Sequence, residues 1–350
     1  RGMRFSHCMS SSPVCAPARI GLASGVEPYR LGALDNQSIL PAGQRTYYSR
    51  LRDAGYHVGC VGKLDLAKPH QHNGLHGQRP GVFRWGFTHP LECEGKRHAG
   101  RFQEPMGPYG AWLQSRGLYD RFHKDYLNRE EAGWIAGPSH DSVLPIDAFE
   151  DVYIGDKACE WIRAHAGGEY PWHLFVSFVG PHDPFDPPQE YAERYRHRDM
   201  PRPLFGPGAD KAAWIRDKSV AYDPEAITEA RRQYSAAIAV IDHQVGRIVA
   251  ALEERGCLEN SYVLFCSDHG EMLGDHGLFL KSVAYEPAIR VPLLVFGPGI
   301  PPGAQATSAA AKGYSTPPCR CSPAARTGTT ELRSRSAAKP MSRSSPRPRR

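Results

Sequence analysis

The sequence predicts an α/β fold: a mostly parallel central sheet flanked by helices. Three observations carry that expectation. Helix-like and strand-like segments alternate along the chain. The strands read as continuous apolar runs, the pattern of a sheet covered on both faces. Three of those runs end at a polar cluster, at Lys63, at His182 and at Asp268-His269, and ligands bind such sheets at the carboxyl ends of strands.

The elements follow in order. Residues 43–54 read as a helix, Gly55 as a turn, and residues 56–61 as a short strand ending at Gly62-Lys63. Residues 70–146 are rich in Gly, His, Pro and aromatics with weak periodicity, which predicts long loops and short helices over the sheet. A helix opened by Asp147 and closed by Gly167-Gly168 precedes the run HLFVSFVG, read as a buried strand leading to Pro181-His182. The clearest helix covers 224–255, with Asp223 as cap, Pro224 at its first position and Gly256 as stop. Its residues Tyr234, Ile238, Ile241, Val245, Ile248 and Leu252 step by four and three, predicting one core-facing stripe. SYVLFCSDHG and RVPLLVFGPG then supply two more strands.

Composition bounds the function. With 350 residues, 41% hydrophobic and 23% charged, the chain can bury a sizeable core. It has no uninterrupted run of eighteen apolar residues, so no membrane partner is expected. Nine scattered cysteines without a C-x-x-C pair suggest neither a disulfide framework nor a zinc ribbon and favour a reducing, cytoplasmic setting. The net charge of +6 belongs to the end of the chain: residues 312–350 hold ten Lys/Arg and one acid, leaving the remainder at −3. Residues 303–350, dense in Pro, Ser and Arg, are expected to be a disordered, non-native or frameshifted tail rather than a nucleic-acid-binding arm.

The chemistry concentrates in a few stretches. In SPVCAPARIGLASG, Cys15 stands two residues before Pro17 and four before Arg19. Pro17 near a helix start would leave Cys15 beside free backbone N–H groups, a place that favours anions and activates a thiol, with Arg19 one turn on. A turn with an incidental thiol fits the same stretch. Asp268 and His269, side by side after a strand, suit a divalent metal, and Asp275-His276 reads as a capping feature. His182, between prolines that stiffen its loop, can donate a proton to a leaving group. Lys63 and Lys281 can pair with an anionic substrate.

Together these residues resemble the sulfatase family of the alkaline-phosphatase superfamily. The matching stretches are SPVCAPARIGLASG, GYHVGCVGKLDL, FVSFVGPHDPFDPP, SDHGEMLGDHGLFLK and YEPAIRVPLLV, in the family's order and covering residues 1 to about 300. The resemblance implies a partial sulfatase catalytic domain over residues 1–302 in which a maturation enzyme converts Cys15 to Cα-formylglycine. One hydroxyl of the hydrated aldehyde would attack the sulfur of a small-molecule or carbohydrate sulfate ester, and the other would expel sulfate. It further implies that Arg19 steadies the formylglycine, that Lys63 holds a sulfate oxygen, that His182 assists the leaving group and that Lys281 bridges nucleophile and sulfate. The metal, Ca2+ with Mg2+ or Mn2+ as substitutes, would be held by Asp268, His269 and the converted Cys15.

The chain departs from the family at two places. Where many members carry the histidine of Gly-Lys-x-His, this chain has Asp65, which can orient Lys63 but cannot replace a cation. The family's first strand, ending in an Asp-Asp pair that supplies two metal ligands, is expected to be missing before RGMRFSHC. Two other functions share these features: a phosphonate monoester or phosphodiester hydrolase with the same nucleophile, and a catalytically inactive fragment.

Overall fold

The computed structural model describes residues 2–133, 140–165, 168–205, 211–307 and 309–311. Nine strands occur among them: β1 (Met3–Phe5), β2 (Cys8–Ser10), β3 (His57–Gly62), β4 (His89–Glu92), β5 (Trp172–Ser177), β6 (Val263–Cys266), β7 (Leu293–Phe296), β8 (Ala304–Ala306) and β9 (Ala309–Ala311). They form a four-stranded sheet in the order β6-β7-β1-β8, a pair β2-β9, and a three-stranded sheet β4-β3-β5. Four of the six pairings are parallel. β7 runs antiparallel to both β1 and β6, so the mostly parallel arrangement that the sequence predicts becomes mixed at that strand.

Three helices frame the site. The first, α1 (Cys15–Ser24), begins at the cysteine itself; α2 (Glu150–His165) covers the β4-β3-β5 sheet; and α3 (Pro224–Glu254) packs on α2. Asp223 caps α3 through the Glu225 N–H, as its sequence suggests. Of the expected stripe, Ile241 and Leu252 are buried, Tyr234, Val245 and Ile248 are half-buried, and Ile238 is exposed. The buried face also takes in Ile227, Ala230, Gln233, Ala236, Ala237, Val240, Gln244 and Ala251. Alanines and two buried glutamines let α3 lie close to α2, so packing, not side-chain bulk, chooses its inner face. By length and hydropathy α3 could span a membrane, although no unbroken apolar run announces it; with ten buried residues and an Arg231–Asp275 ion pair at 2.7 Å it packs as a core helix.

Several elements escape the sequence pattern. The stretch read as loops contains β4 and the thirteen-residue helix Tyr119–Glu131, whose buried face (Tyr119, Phe122, Tyr126) joins Tyr109 and Ile154 in one core cluster. β5 and β6 are edge strands among the described residues, so β5 is half-buried and Leu264 and Phe265 of β6 are exposed rather than covered. β8 and β9 pair with β1 and β2 beyond residue 302, so regular structure continues past the boundary expected there. The rest of the basic tail, 312–350, lies outside the described residues.

One backbone contact fixes the end of β3. Gly62 has φ of +105°, and a Cβ built there would sit 2.0 Å from the Ser177 carbonyl oxygen of β5. That oxygen also accepts the Lys63 N–H at 3.1 Å, so Gly62 sets how Lys63 leaves the sheet. Gly62→Ala is expected to destabilise the fold by about 3 kcal/mol or more. Gly55→Ala, at φ of +88° with nothing near the new carbon, should cost only about 1 kcal/mol. Urea midpoints for the two variants test this, and equal losses would refute the close approach.

Candidate active site

Arg19, one turn into α1, ties three strand ends together. Its Nε donates to Asp268 Oδ2 at 2.7 Å, and its Nη1 donates to the Lys63 carbonyl and to Ser177 Oγ, both at 2.8 Å. These partners lie just past β6, just past β3 and at the last residue of β5. The guanidinium is built for such a task, because its planar fork offers several donors in fixed directions. Through these strand ends it braces the floor beneath Cys15.

Cys15 stands above that floor with 1% of its surface exposed. Its Sγ lies 3.1 Å from His269 Nε2. Burial would raise the thiol's pKa, but Lys63 and Lys281, with hydrogen bonds to His182 and His269, hold it well below its ordinary value. The helix end contributes less than the sequence suggests. The Ala16 N–H already donates to Asn36 Oδ1 at 3.1 Å, and Pro17 has no N–H to offer. Cationic side chains, not the helix terminus, make this pocket favourable to an anion.

Lys63 is buried despite its charge, 4% exposed, and its Nζ lies 3.2 Å from Asp65 Oδ2. Asp65 has φ of +54° and also accepts from Lys68 Nζ at 2.8 Å. Burial opposes its ionisation, but Lys63, Lys68 and Arg19 hold the carboxyl far below the usual range. Asp65 therefore fixes the direction of Lys63 and neutralises part of its charge.

On the other side, His182 Nδ1 donates to its neighbour's carbonyl, Asp183 O, at 2.8 Å. A carbonyl only accepts, so Nδ1 carries the proton and Nε2 receives Lys281 Nζ at 2.9 Å. Burial pushes the His182 pKa down, against Asp183 and with help from Lys281. Asp183 is itself paired with Arg97. The loop is anchored from below, because Asp151 Oδ1 accepts the Val179 and Gly180 N–H groups at 2.9 and 3.0 Å. Lys281 sits between Leu280 and Ser282, two non-glycine residues with φ of +67° and +72°. Backbone held in this costly region clusters at functional sites, and here the Ser282 N–H on Pro13 O, 2.9 Å, docks the turn beside Cys15.

Cys15, Asp268 and His269 bring their ligand atoms within 4.8 Å of one another. His269 Nδ1 donates to Gly270 O at 2.8 Å, which aims the Nε2 lone pair at that cluster. Asp268 Oδ1 accepts the His269 N–H at 3.0 Å while Oδ2 holds Arg19. One carboxylate, one imidazole and one sulfur suit a small divalent ion with mixed ligands. They do not by themselves suit Ca2+, which takes about six to eight oxygens. Asp275 and His276 lie apart, with Asp275 accepting from Arg231 and from the Leu204 N–H.

Cys15, Arg19, Lys63, Asp65, His182, Asp268, His269 and Lys281 thus meet in one place, and Asp275-His276 stays outside it. Comparison with known proteins gives the family: the sulfatase family model matches residues 1–316. The chain belongs to the sulfatase family. Among relatives of this sulfatase-family chain, an arylsulfatase of Clostridium perfringens is 29% identical over 308 residues, covering 85% of this chain and 62% of the relative. A choline-sulfatase of Rhizobium meliloti is 29% identical over 320 residues, covering 88% and 58%. The chain therefore spans about three fifths of the length of these relatives. Among solved structures, a phosphonate monoester hydrolase from Silicibacter pomeroyi superposes with a TM-score of 0.71 at 23% identity, covering 89% of this chain and 64% of that one. That likeness shows the alkaline-phosphatase-like α/β fold. Asn36, Ser177, Arg97 and Asp183 join the site without a signal in the sequence. Asn36, Ser177 and Arg97 act through contacts to residues well separated in the chain, which spacing does not reveal.

Proposed function

We propose that this chain is a sulfuric-ester hydrolase whose nucleophile is Cys15 after conversion to Cα-formylglycine. The observation that supports it most is the ring of groups around one buried atom. Lys63, His182, Lys281 and His269, from four separate segments, all act on Cys15 Sγ, the position from which a hydroxyl of the hydrated aldehyde would attack.

In this reading the sulfate of a small-molecule or carbohydrate ester lies between Lys63 and Lys281. The nucleophile's oxygen forms a bond to sulfur and the sulfur–oxygen bond to the alcohol breaks. His182 Nε2 relays a proton from Lys281 Nζ to the departing alcohol oxygen, and Lys281 Nζ takes up the proton that the attacking hydroxyl gives up. The remaining hydroxyl then loses its proton, the carbon–oxygen double bond re-forms, sulfate leaves, and water rehydrates the aldehyde. Asp268 and His269 are the side chains that would hold a divalent ion, which would polarise the sulfate. Ca2+ would need oxygen donors beyond these.

Turnover of an aryl sulfate against that of a phenylphosphonate ester tests the assignment. Faster sulfate cleavage is expected; faster phosphonate cleavage would move the chain to the phosphonate-hydrolase reading, and neither, to an inactive one. His182→Ala is expected to slow an alkyl sulfate by about 10²–10⁴-fold and a nitrophenyl sulfate much less, because a good leaving group needs no proton. Equal losses on the two esters would remove His182 from the leaving-group step.

A further inference from the structure

A second set of ligating side chains lies at the opposite end of the parallel sheet. His57 opens β3, His89 opens β4 and His165 closes α2, and their ligand nitrogens lie within 4.8 Å of one another. Lys63 follows the other end of β3, so His57 stands roughly 20 Å from Lys63 along the strand at about 3.3 Å per residue. We propose that His57, His89 and His165 form a transition-metal site whose occupant is Zn2+. It is independent of the sulfatase reading.

One of the three imidazoles is locked in the form that a metal needs, and a second can adopt it. His165 Nδ1 lies 2.9 Å from the Trp161 carbonyl, which can only accept, so Nδ1 holds the proton and Nε2 the lone pair. His89 Nδ1 lies 2.8 Å from Thr88 Oγ1. The single Thr88 hydroxyl proton is directed at Val58 O, 3.3 Å away, while the Val58 N–H donates to the same oxygen at 2.8 Å. With the hydroxyl turned that way Thr88 accepts from His89, and Nε2 is free. Histidine ligands are commonly oriented by such outer partners.

The ring spacing fits. Centroids are 5.0 Å apart for His57 and His89, 4.6 Å for His89 and His165, and 6.0 Å for His57 and His165. A tetrahedral ion about 2.1 Å from each nitrogen places neighbouring centroids roughly 5 Å apart. The scaffold is rigid: Trp161 stacks on His165 at 4.1 Å and lies so close over β3 that a Cβ on Gly59 would meet its ring at 2.5 Å. Tyr170 stacks on His57 at 5.3 Å. The carbonyl end of α2 adds partial negative charge beside a cation. Three imidazoles favour Zn2+, Cu2+ or Ni2+ over Ca2+ or Mg2+ and leave the fourth position to water. The ion would clamp the starts of two strands to the end of α2.

The test uses the full chain carrying Cys15→Ala, so that the sulfur of the other cluster takes no part. Metal-free protein is titrated with Zn2+ against a chromophoric chelator. One equivalent is expected, weakened by at least about tenfold in each of His57→Gln, His89→Gln and His165→Gln, and unchanged in Asp268→Asn. Electron paramagnetic resonance of one equivalent of Cu2+ on the parent chain, which needs no histidine variant to fold, should show three nitrogen donors. Zinc affinity indifferent to the three histidines, or a copper spectrum with fewer than three nitrogens, would overturn the site.

Discussion

Cys15→Ala is expected to abolish sulfate-ester turnover, while Cys8→Ala leaves it intact. Both thiols are buried, so loss of a buried cysteine does not separate them. Their surroundings do. Two lysines and two histidines act on Cys15, whereas Cys8 packs with Val291 and Leu293 in an apolar cluster. If covalent attack from position 15 carries the reaction, what remains in the alanine variant is binding and electrostatics alone, a loss on the order of 10³-fold or more. Cys15→Ser is the sharper control, because a hydroxyl that is not a hydrated aldehyde has no second oxygen with which to expel sulfate. It is expected to react once and stall. Steady-state kinetics together with intact-protein mass after substrate check both variants; turnover retained in Cys15→Ala would remove the nucleophile from this position.

Arg19→Met is expected to lower stability by about 3–5 kcal/mol, the cost of leaving one member of a buried ion pair alone. Arg19 and Asp268 are 11% and 15% exposed at the side chain, so water offers little relief. The methionine also abandons Lys63 O and Ser177 Oγ, the two other strand ends that Arg19 holds. The pH dependence has a definite sign. Burial works against the Asp268 carboxylate, but Arg19, His269 and Lys63 hold its pKa well below the ordinary value. A depressed carboxyl pKa gives stability that is present above the unfolded value, about 3.9, and is lost as pH falls through the folded value. The stability gap between parent and Arg19→Met should therefore narrow as the solution is acidified below that range. Urea unfolding over a pH series checks this, and a gap indifferent to pH would show that Arg19 acts through packing alone.

Much of this site was legible because each polar residue follows an apolar run. Lys63 after Gly62, His182 after HLFVSFVG and Asp268 after YVLFC marked three strand ends, and the structure joins them through Arg19. What the sequence hid depends on partners distant in the chain. The reversal of β6 and β7 is set by how their connection crosses the site, and an apolar run reads the same in either direction. The inner face of α3 was legible at Ile241 and Leu252 but not at Gln244, which packs against Gly155 of α2, while bulkier Ile238 faces water. Asn36 was invisible because it reaches Ala16 across twenty residues. Asp65 was visible as a departure from the family, yet only its contacts with Lys63 and Lys68 show what it does.

The most direct test weighs the peptide that contains Cys15, from protein produced with a formylglycine-generating enzyme, alongside turnover of an aryl sulfate. The expected result is a mass reduced by the replacement of CH2–SH with CHO, capture of that peptide by a hydrazine reagent, and activity proportional to the converted fraction. Full activity with an unmodified thiol, or complete conversion without any cleavage of a sulfate ester, would contradict the account.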